Sequence, residues 1–290
     1  MQPLLAVVRS VLDCPSAELS VWKEQPIDYQ VFLADRRIDR VSGKAYCAGS
    51  ERTWSVVRKS GAADREVQAY AASWLKATGF RPATCYLADG NRIWLEDLAD
   101  RYEHRWPLEG FDAAASALGR FNGAHLLAPP ADKFWLSRDW MDKHQDLPAL
   151  ARRPAEFRVQ SALRQVLAAL PQTICHHDAA QANLFLVGSE VVAIDWEGVG
   201  WGSLGADLAT LVVGTMRRGD FPAERSDELD AVAFAGYVRG LAEVGWRGDP
   251  AAARLGYSAA VGLRWPILVT APSSPLAHFV QARTEEAGCR

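Results

Sequence analysis

Apolar and polar positions divide this chain into two parts of different character. In the first hundred residues the pattern predicts mostly strands with one helix. Val21-Trp22-Lys23, Arg37 to Cys47 (broken by Ser42-Gly43) and Trp54-Ser55-Val56-Val57-Arg58-Lys59 are the strand candidates. Between residues 64 and 77, Val67, Tyr70, Ala71, Trp74 and Leu75 recur at helical spacing, and Thr78-Gly79 supplies a stop. Ala83 to Leu87 and Arg92 to Leu95 predict a hairpin around Asp89-Gly90-Asn91. Ahead of these, Pro3 to Val8 is an apolar run interrupted by Arg9, which suits an amphipathic first helix. After Glu96-Asp97-Leu98 the period changes. Phe111 to Leu126 and Glu156 to Leu170 are helical, Pro171 stopping the second, and residues 205–216, 227–245 and 250–270 are helical again. The expected organisation is α+β: a small strand-rich lobe, 1–98, followed by a larger, mainly helical lobe, 99–290.

One clear sheet element stands in the second part. Leu184 to Val187 and Val191 to Ile194 are apolar runs on either side of Gly188-Ser189-Glu190. A two-residue turn at Gly188-Ser189 is the Gly-X kind that suits a type II′ hairpin. Residue 187 then faces 190, 184 faces 193, and 183 faces 194. Asn183 and Asp195 therefore come to the same end of the hairpin, and both offer the oxygen ligands that magnesium prefers. Asp178 lies on the loop that feeds that end.

Composition narrows the class without changing this picture. Apolar residues are 49% and charged residues 23%, a globular balance, and 290 residues give ample material for a core. The net charge of −3 provides no broad basic surface for nucleic acid. The apolar start is too short to span a bilayer and lacks the basic front of a signal peptide, so no membrane partner is expected. The five cysteines, Cys14, Cys47, Cys85, Cys175 and Cys289, are scattered, odd in number and free of any CxxC pair. They read as reduced thiols of a cytoplasmic protein. Cys175 reads as a small core residue rather than a nucleophile.

The candidate chemistry sits at the hairpin. His176-His177-Asp178-Ala179-Ala180-Gln181-Ala182-Asn183 is an H-x-D-x-x-x-x-N loop, followed by the aspartate of Ile194-Asp195-Trp196-Glu197. Phosphoryl transfer from ATP needs such a set: a carboxylate for the acceptor hydroxyl, and an amide and a carboxylate for the magnesium ions on the phosphates. No His-rich ligand spacing such as H-E-x-x-H occurs, which disfavours a metal hydrolase.

On these residues the chain resembles the aminoglycoside phosphotransferase and choline kinase group, small-molecule kinases with the two-lobed protein-kinase-like architecture. The resemblance runs from about Val21 to Pro275. Cys175 through Asn183 is similar to the group's catalytic loop, Ile194-Asp195-Trp196-Glu197 to its metal-binding motif, and Gly205-Ala206-Asp207-Leu208-Ala209 to its D-L-A helix start, a structural brace. The resemblance implies ATP between the lobes, with Mg2+ held by Asn183 and Asp195. It implies Asp178 as the group that orients the acceptor hydroxyl and accepts its proton late. His176, a proton-transfer candidate by residue type, has the spacing of a residue that ties the loop to the core.

In the first lobe, Trp54 to Lys59 resembles the strand that ends in the ATP-phosphate lysine. That implies Lys59, with Arg58 as its rival; the strand period of two lets only one of them point inward. Glu66 would be the ion-pair partner. Trp94-Leu95-Glu96-Asp97-Leu98 resembles the hinge, where adenine would pair with main-chain groups near Glu96 and Leu98. Two departures from the pattern stand out. The segment expected to cover the phosphates, Asp28 to Arg40, contains no glycine, and His177 replaces the glycine of the group's H-G-D. The second implies a bulkier surround for Asp178, or a contact between His177 and the acceptor.

The expected activity is a small-molecule O-kinase acting on an aminoglycoside-, sugar- or amino-alcohol-like hydroxyl. The rivals are a non-catalytic, pseudokinase-like nucleotide binder and a fructosamine-kinase-like enzyme. The acids of the last third, Asp220, Glu224, Asp227, Glu228, Asp230, Glu243 and Asp249, are the side chains available to a cationic acceptor. Trp201, Trp246, Trp265 and Tyr257 can stack on a ring or pack in the core.

Overall fold

The computed structural model describes residues 2–27, 36–77, 79–101, 105–131, 134–138, 154–270 and 273–288. The larger part of the glycine-free segment, residues 28–35, and Cys289 lie outside the described residues. Two compact units form, one from Met1–Ser73 with Pro82–Arg101, the other from Trp74–Arg81 with Tyr102–Arg290.

The first unit is a five-stranded antiparallel sheet with two helices packed on it. The strands are β1 (Glu18–Pro26), β2 (Arg37–Cys47), β3 (Ser50–Ser60), β5 (Cys85–Asp89) and β6 (Arg92–Glu96), in the order β1-β2-β3-β6-β5. The first helix, α1 (Gln2–Val11), lays Leu4, Val7 and Val8 on Val41, Ala45, Trp54, Val56 and Trp94. Those three positions form one helical stripe, which is why the apolar start packs as expected. Strand β2 runs unbroken through Ser42-Gly43, contrary to expectation. Gly43 is there for close approach: a Cβ on it would stand 2.1 Å from the Val21 carbonyl oxygen, beside a bulge in β1. The predicted helix 64–77 is shorter in the structure, as α2 (Asp64–Ala71). Ala72 turns to an extended conformation, and Trp74 joins the second unit, where its ring meets those of His125 and Trp135.

The cysteines require a correction. Cys14 and Cys47, read as reduced, form a disulfide with their Cα atoms 6.2 Å apart. The turn that follows α1 sets Cys14 against the last residue of β2, a proximity that spacing along the chain cannot reveal. Cys85 and Cys175 are free.

The second unit is built on α3 (Leu108–Leu127) and a long partner, α7 (Ser226–Glu243). Gly119 meets Tyr237 and Gly240 meets Ser116 at backbone distance, so these two helices pack closely. Three strands, β4 (Phe80–Pro82), β9 (Glu190–Ala193) and β8 (Leu184–Val187), form one small sheet; β7 (Gln172–Cys175) and β10 (Gly200–Ser203) pair as another. The expected helix 205–216 appears as α5 (Ala206–Ala209) and α6 (Thr215–Arg218) joined by a wider π turn at Thr210–Gly214. The expected helix 250–270 divides into α8 (Pro250–Arg264) and α9 (Pro266–Thr270). Pro266 explains the division, because it disfavours helical backbone at Trp265, which sits at φ −126° and ψ 60°. The remaining helices are α4 (Pro154–Ala169) and α10 (Pro275–Glu286). Among the described residues no helix is long and apolar enough to cross a membrane.

Candidate active site

The hairpin forms in the expected register. Val187 pairs with Glu190 and Leu184 with Ala193, and the Ile194 N–H donates to the Asn183 carbonyl at 3.0 Å. Of the two turn residues only Gly188 has positive φ, at 61°, as a type II′ turn requires. Asn183 and Asp195 therefore share one end of the hairpin.

The loop before it is held by hydrogen bonds that also define its chemistry. The Asn183 Nδ2 donates to the Asp178 carbonyl and to Asp178 Oδ2, both at 2.9 Å. With the amide nitrogen turned to two acceptors, Asn183 Oδ1 is left buried and without a hydrogen-bond partner. An orphaned acceptor at this point fits a site for a cation. Among the described residues no three His, Cys, Asp or Glu side chains converge as a metal cluster, so a cation here would rest on the Asn183 and Asp195 pair. The other Asp178 oxygen, Oδ1, accepts from Arg264 Nη2 at 3.0 Å, and Arg264 Nη1 donates to the His177 carbonyl.

His176 is a scaffold residue. Its Nδ1 accepts from the Asp178 N–H at 3.2 Å, so its Nε2 carries the proton and donates to the Ile194 carbonyl at 3.0 Å. With both nitrogens engaged and the ring 4.5 Å from that of Trp196, it ties the loop to the hairpin. His177 is buried, at 3% exposure. Its backbone is left-handed, at φ 65°, and its ring turns inward, with Nε2 3.0 Å from the Trp201 carbonyl. Burial lowers its pKa to about 4, so it is neutral. Gly202 makes room for it: a Cβ there would stand 2.7 Å from both the His177 ring and the Cys175 sulfur. Burial also pushes the Cys175 thiol well above its usual range, with Asp207 adding to the effect.

Beneath the loop, Asp207 is fully buried and accepts from the His176 N–H at 3.0 Å and the His177 N–H at 2.8 Å. Asn122 donates to the same carboxylate at 3.1 Å and accepts from Tyr237 at 2.8 Å. This chain of bonds sets the backbone on which Asp178 stands.

In the first unit Lys59 and Arg58 take different surroundings on β3. Lys59 is buried, with its Nζ 2.8 Å and 2.7 Å from the two oxygens of buried Glu66. Arg58 lies on the opposite face, paired with Glu24 and with Asp39 at 2.7 Å. Glu96 accepts from the Thr84 N–H at 3.0 Å, Leu98 is buried, and Asp97 holds Arg40 at 2.8 Å. The side chains of Glu96 and Asp97 are thus occupied within their own unit.

A family model described as the phosphotransferase enzyme family matches residues 56–247. The chain belongs to the phosphotransferase enzyme family. Amicoumacin kinase hAmiN, in complex with AMP-PNP, Ca2+ and Ami, matches it with a TM-score of 0.60 at 13% identity, over 99% of this chain and 92% of its own. Choline kinase from Cryptosporidium parvum Iowa II gives 0.54 at 12% identity, over 99% and 94%. Plasmodium vivax ethanolamine kinase gives 0.51 at 12% identity, over 92% and 81%. At such identities the likeness carries the fold: α+β and protein-kinase-like, with a strand-rich N-lobe and a larger, mainly helical C-lobe. No curated protein matches the sequence.

For this phosphotransferase the reading of the sequence missed Arg264. Its signal was the buried pair Ala260 and Val261, one helical turn earlier on the same face of α8. Burial pulls the Arg264 pKa down, while the carboxylates of Asp178 and Asp207 oppose that pull. The acids named as possible cation receivers are mostly engaged elsewhere. Asp220 pairs with Arg218, Glu228 with Arg225, Asp230 with Arg254, and Glu243 with Arg120. Asp249 caps α8 through the Ala251 N–H, and Glu224 and Asp227 stand at the solvent-facing start of α7. Tyr257 and Trp265 are core residues.

Proposed function

We propose that this phosphotransferase is a small-molecule kinase that transfers the γ-phosphoryl group of ATP to a hydroxyl of its acceptor. The observation that carries the reading is the loop itself. Asp178 is held at both oxygens, by Arg264 and Asn183, while Asn183 Oδ1 stays buried and unpartnered at the hairpin end that also carries Asp195. A carboxylate so fixed keeps lone pairs for a hydroxyl. Asp178 orients that hydroxyl and accepts its proton late, because a loose transition state asks for positioning more than for a strong base. Asn183 Oδ1 and Asp195 are the residues that would hold Mg2+. When bound, the ion supplies positive charge for the phosphoryl oxygens.

In this reading residues 1–98 bind the nucleotide, and residues 99–290 supply the catalytic loop and the acceptor site. Lys59 anchors the phosphates, and Glu66 fixes Lys59. Main-chain groups near Glu96 and Leu98 receive the adenine, since the Glu96 and Asp97 side chains are taken up within their own unit. His176 keeps Asp178 and Ile194 in register.

The test is the melting temperature with ATP, with and without magnesium, for wild type beside Asp195→Ala. A ligand that binds only the folded state raises it by mass action. A magnesium-dependent rise in wild type that Asp195→Ala abolishes is the expected result. Absence of any shift with ATP or GTP in both proteins sinks the kinase reading.

A further inference from the structure

The charge around Asp178 has a sign. Arg264, whose side chain is 21% exposed, reaches from the end of α8 to Asp178 Oδ1. The short helix α6 docks on the same loop: the Gln181 N–H donates to Thr215 Oγ1 at 3.4 Å, and a Cβ on Gly214 would lie 3.5 Å from that of Ala180. Arg217, two residues beyond Thr215, is exposed and makes no hydrogen bond or ion pair among the described residues. Its charge is felt at the Arg264 guanidinium. Arg264 and Asp178 offset each other as a pair, and in the proposed reading Asp195 faces a cation. Arg217, carried by the helix that docks on this loop, is then left as the positive charge without a partner among the described residues of that helix. Among the described acids of the last third, Asp220, Glu228, Asp230 and Glu243 are held by arginines and Asp249 by a helix cap, while Glu224 and Asp227 face solvent at the start of α7.

We propose that the acceptor is an oxyanionic hydroxyl compound, one whose carboxylate or phosphate is received by Arg217 beside Arg264. This rests on the kinase reading of the same loop. A guanidinium presents a planar fork of donors that matches an oxyanion, so one contact both attracts the molecule and limits its rotation. The anionic end on Arg217 would turn the hydroxyl end toward Asp178. An aminoglycoside would instead set its ammonium groups against the unpaired Arg217 guanidinium, and like charges disfavour that pose.

The test uses the full chain and reads melting temperature. AMP-PNP with magnesium is added first, then D-glycerate, 3-phosphoglycerate or kanamycin at matched ionic strength. The series is repeated on Arg217→Gln and Arg217→Glu, and again without nucleotide. The expected result is a further rise with the two oxyanions at millimolar concentration, none with kanamycin, and loss of the oxyanion rise in Arg217→Glu. A rise with kanamycin alone overturns the proposal. So does an oxyanion rise that survives Arg217→Glu, or no rise with either class. Absence of the nucleotide shift condemns the kinase reading separately, because the nucleotide-free series still reports on the anion.

Discussion

Two buried carboxylates, Glu66 in the first unit and Asp207 in the second, are both fully enclosed, and they are compensated in different ways. Glu66 faces an ammonium, that of Lys59. Asp207 faces dipoles: two consecutive backbone N–H groups and the amide of Asn122. The first arrangement fixes one side chain on a regular strand. The second fixes a stretch of backbone that has no regular structure of its own and passes through a left-handed residue, His177. An ion pair between side chains can be exchanged for an apolar pair of similar volume. A carboxylate that satisfies backbone donors has no apolar substitute, since the donors stay when it is removed.

The largest effect should follow Asp207→Ala. It leaves the His176 and His177 N–H groups buried with no acceptor, at a cost of about 4 kcal/mol in urea unfolding. A cost below about 1 kcal/mol would mean that the loop relaxes without its brace, and the contrast with Glu66 would fail. Next in size is Glu66→Ala, which leaves the Lys59 ammonium in the interior without this carboxylate and should cost roughly 3 kcal/mol. The double variant Lys59→Met with Glu66→Leu should regain most of that stability while failing to bind ATP. If the double variant is as unstable as the single one, the pair does more for the fold than fix a side chain.

These two sites were unequally legible in the sequence. The hairpin could be placed residue by residue because a two-residue turn between two apolar runs leaves one register. Asn183 and Asp195 followed from it. Lys59 and Glu66, a strand end and a helix start seven residues apart, were paired through the resemblance, with Arg58 left as a rival to Lys59. Asp207 was visible only through the resemblance, since nothing local says which backbone groups a buried aspartate will meet. Arg264 was hidden in a helix whose period drew attention to its apolar members. The β7 and β10 strands are four residues each, and Gly200-Trp201-Gly202-Ser203 carries no strand signal of its own. The Cys14–Cys47 bond depends on the packing of α1, which no spacing rule encodes.

The smallest effect isolates the strained backbone. His177 stands where the family resemblance led us to expect glycine, and its φ of 65° gives the reason for that glycine. A side chain at this φ brings Cβ close to the following carbonyl, at a cost of about 1 kcal/mol or somewhat more. His177 offsets that cost with its bond to Trp201 and with the space that Gly202 leaves for its ring. Both His177→Ala and His177→Gly remove the bond and the ring, so their difference reports the backbone alone. His177→Gly should be the more stable by about 1 kcal/mol in urea unfolding, a small part being returned to the greater freedom of the unfolded glycine. Equal stability of the two would mean that the loop leaves the left-handed region once the ring is gone. The backbone would then be held by the His177 ring as much as by Asp207, and the difference between the two buried carboxylates would be smaller than their hydrogen bonds indicate.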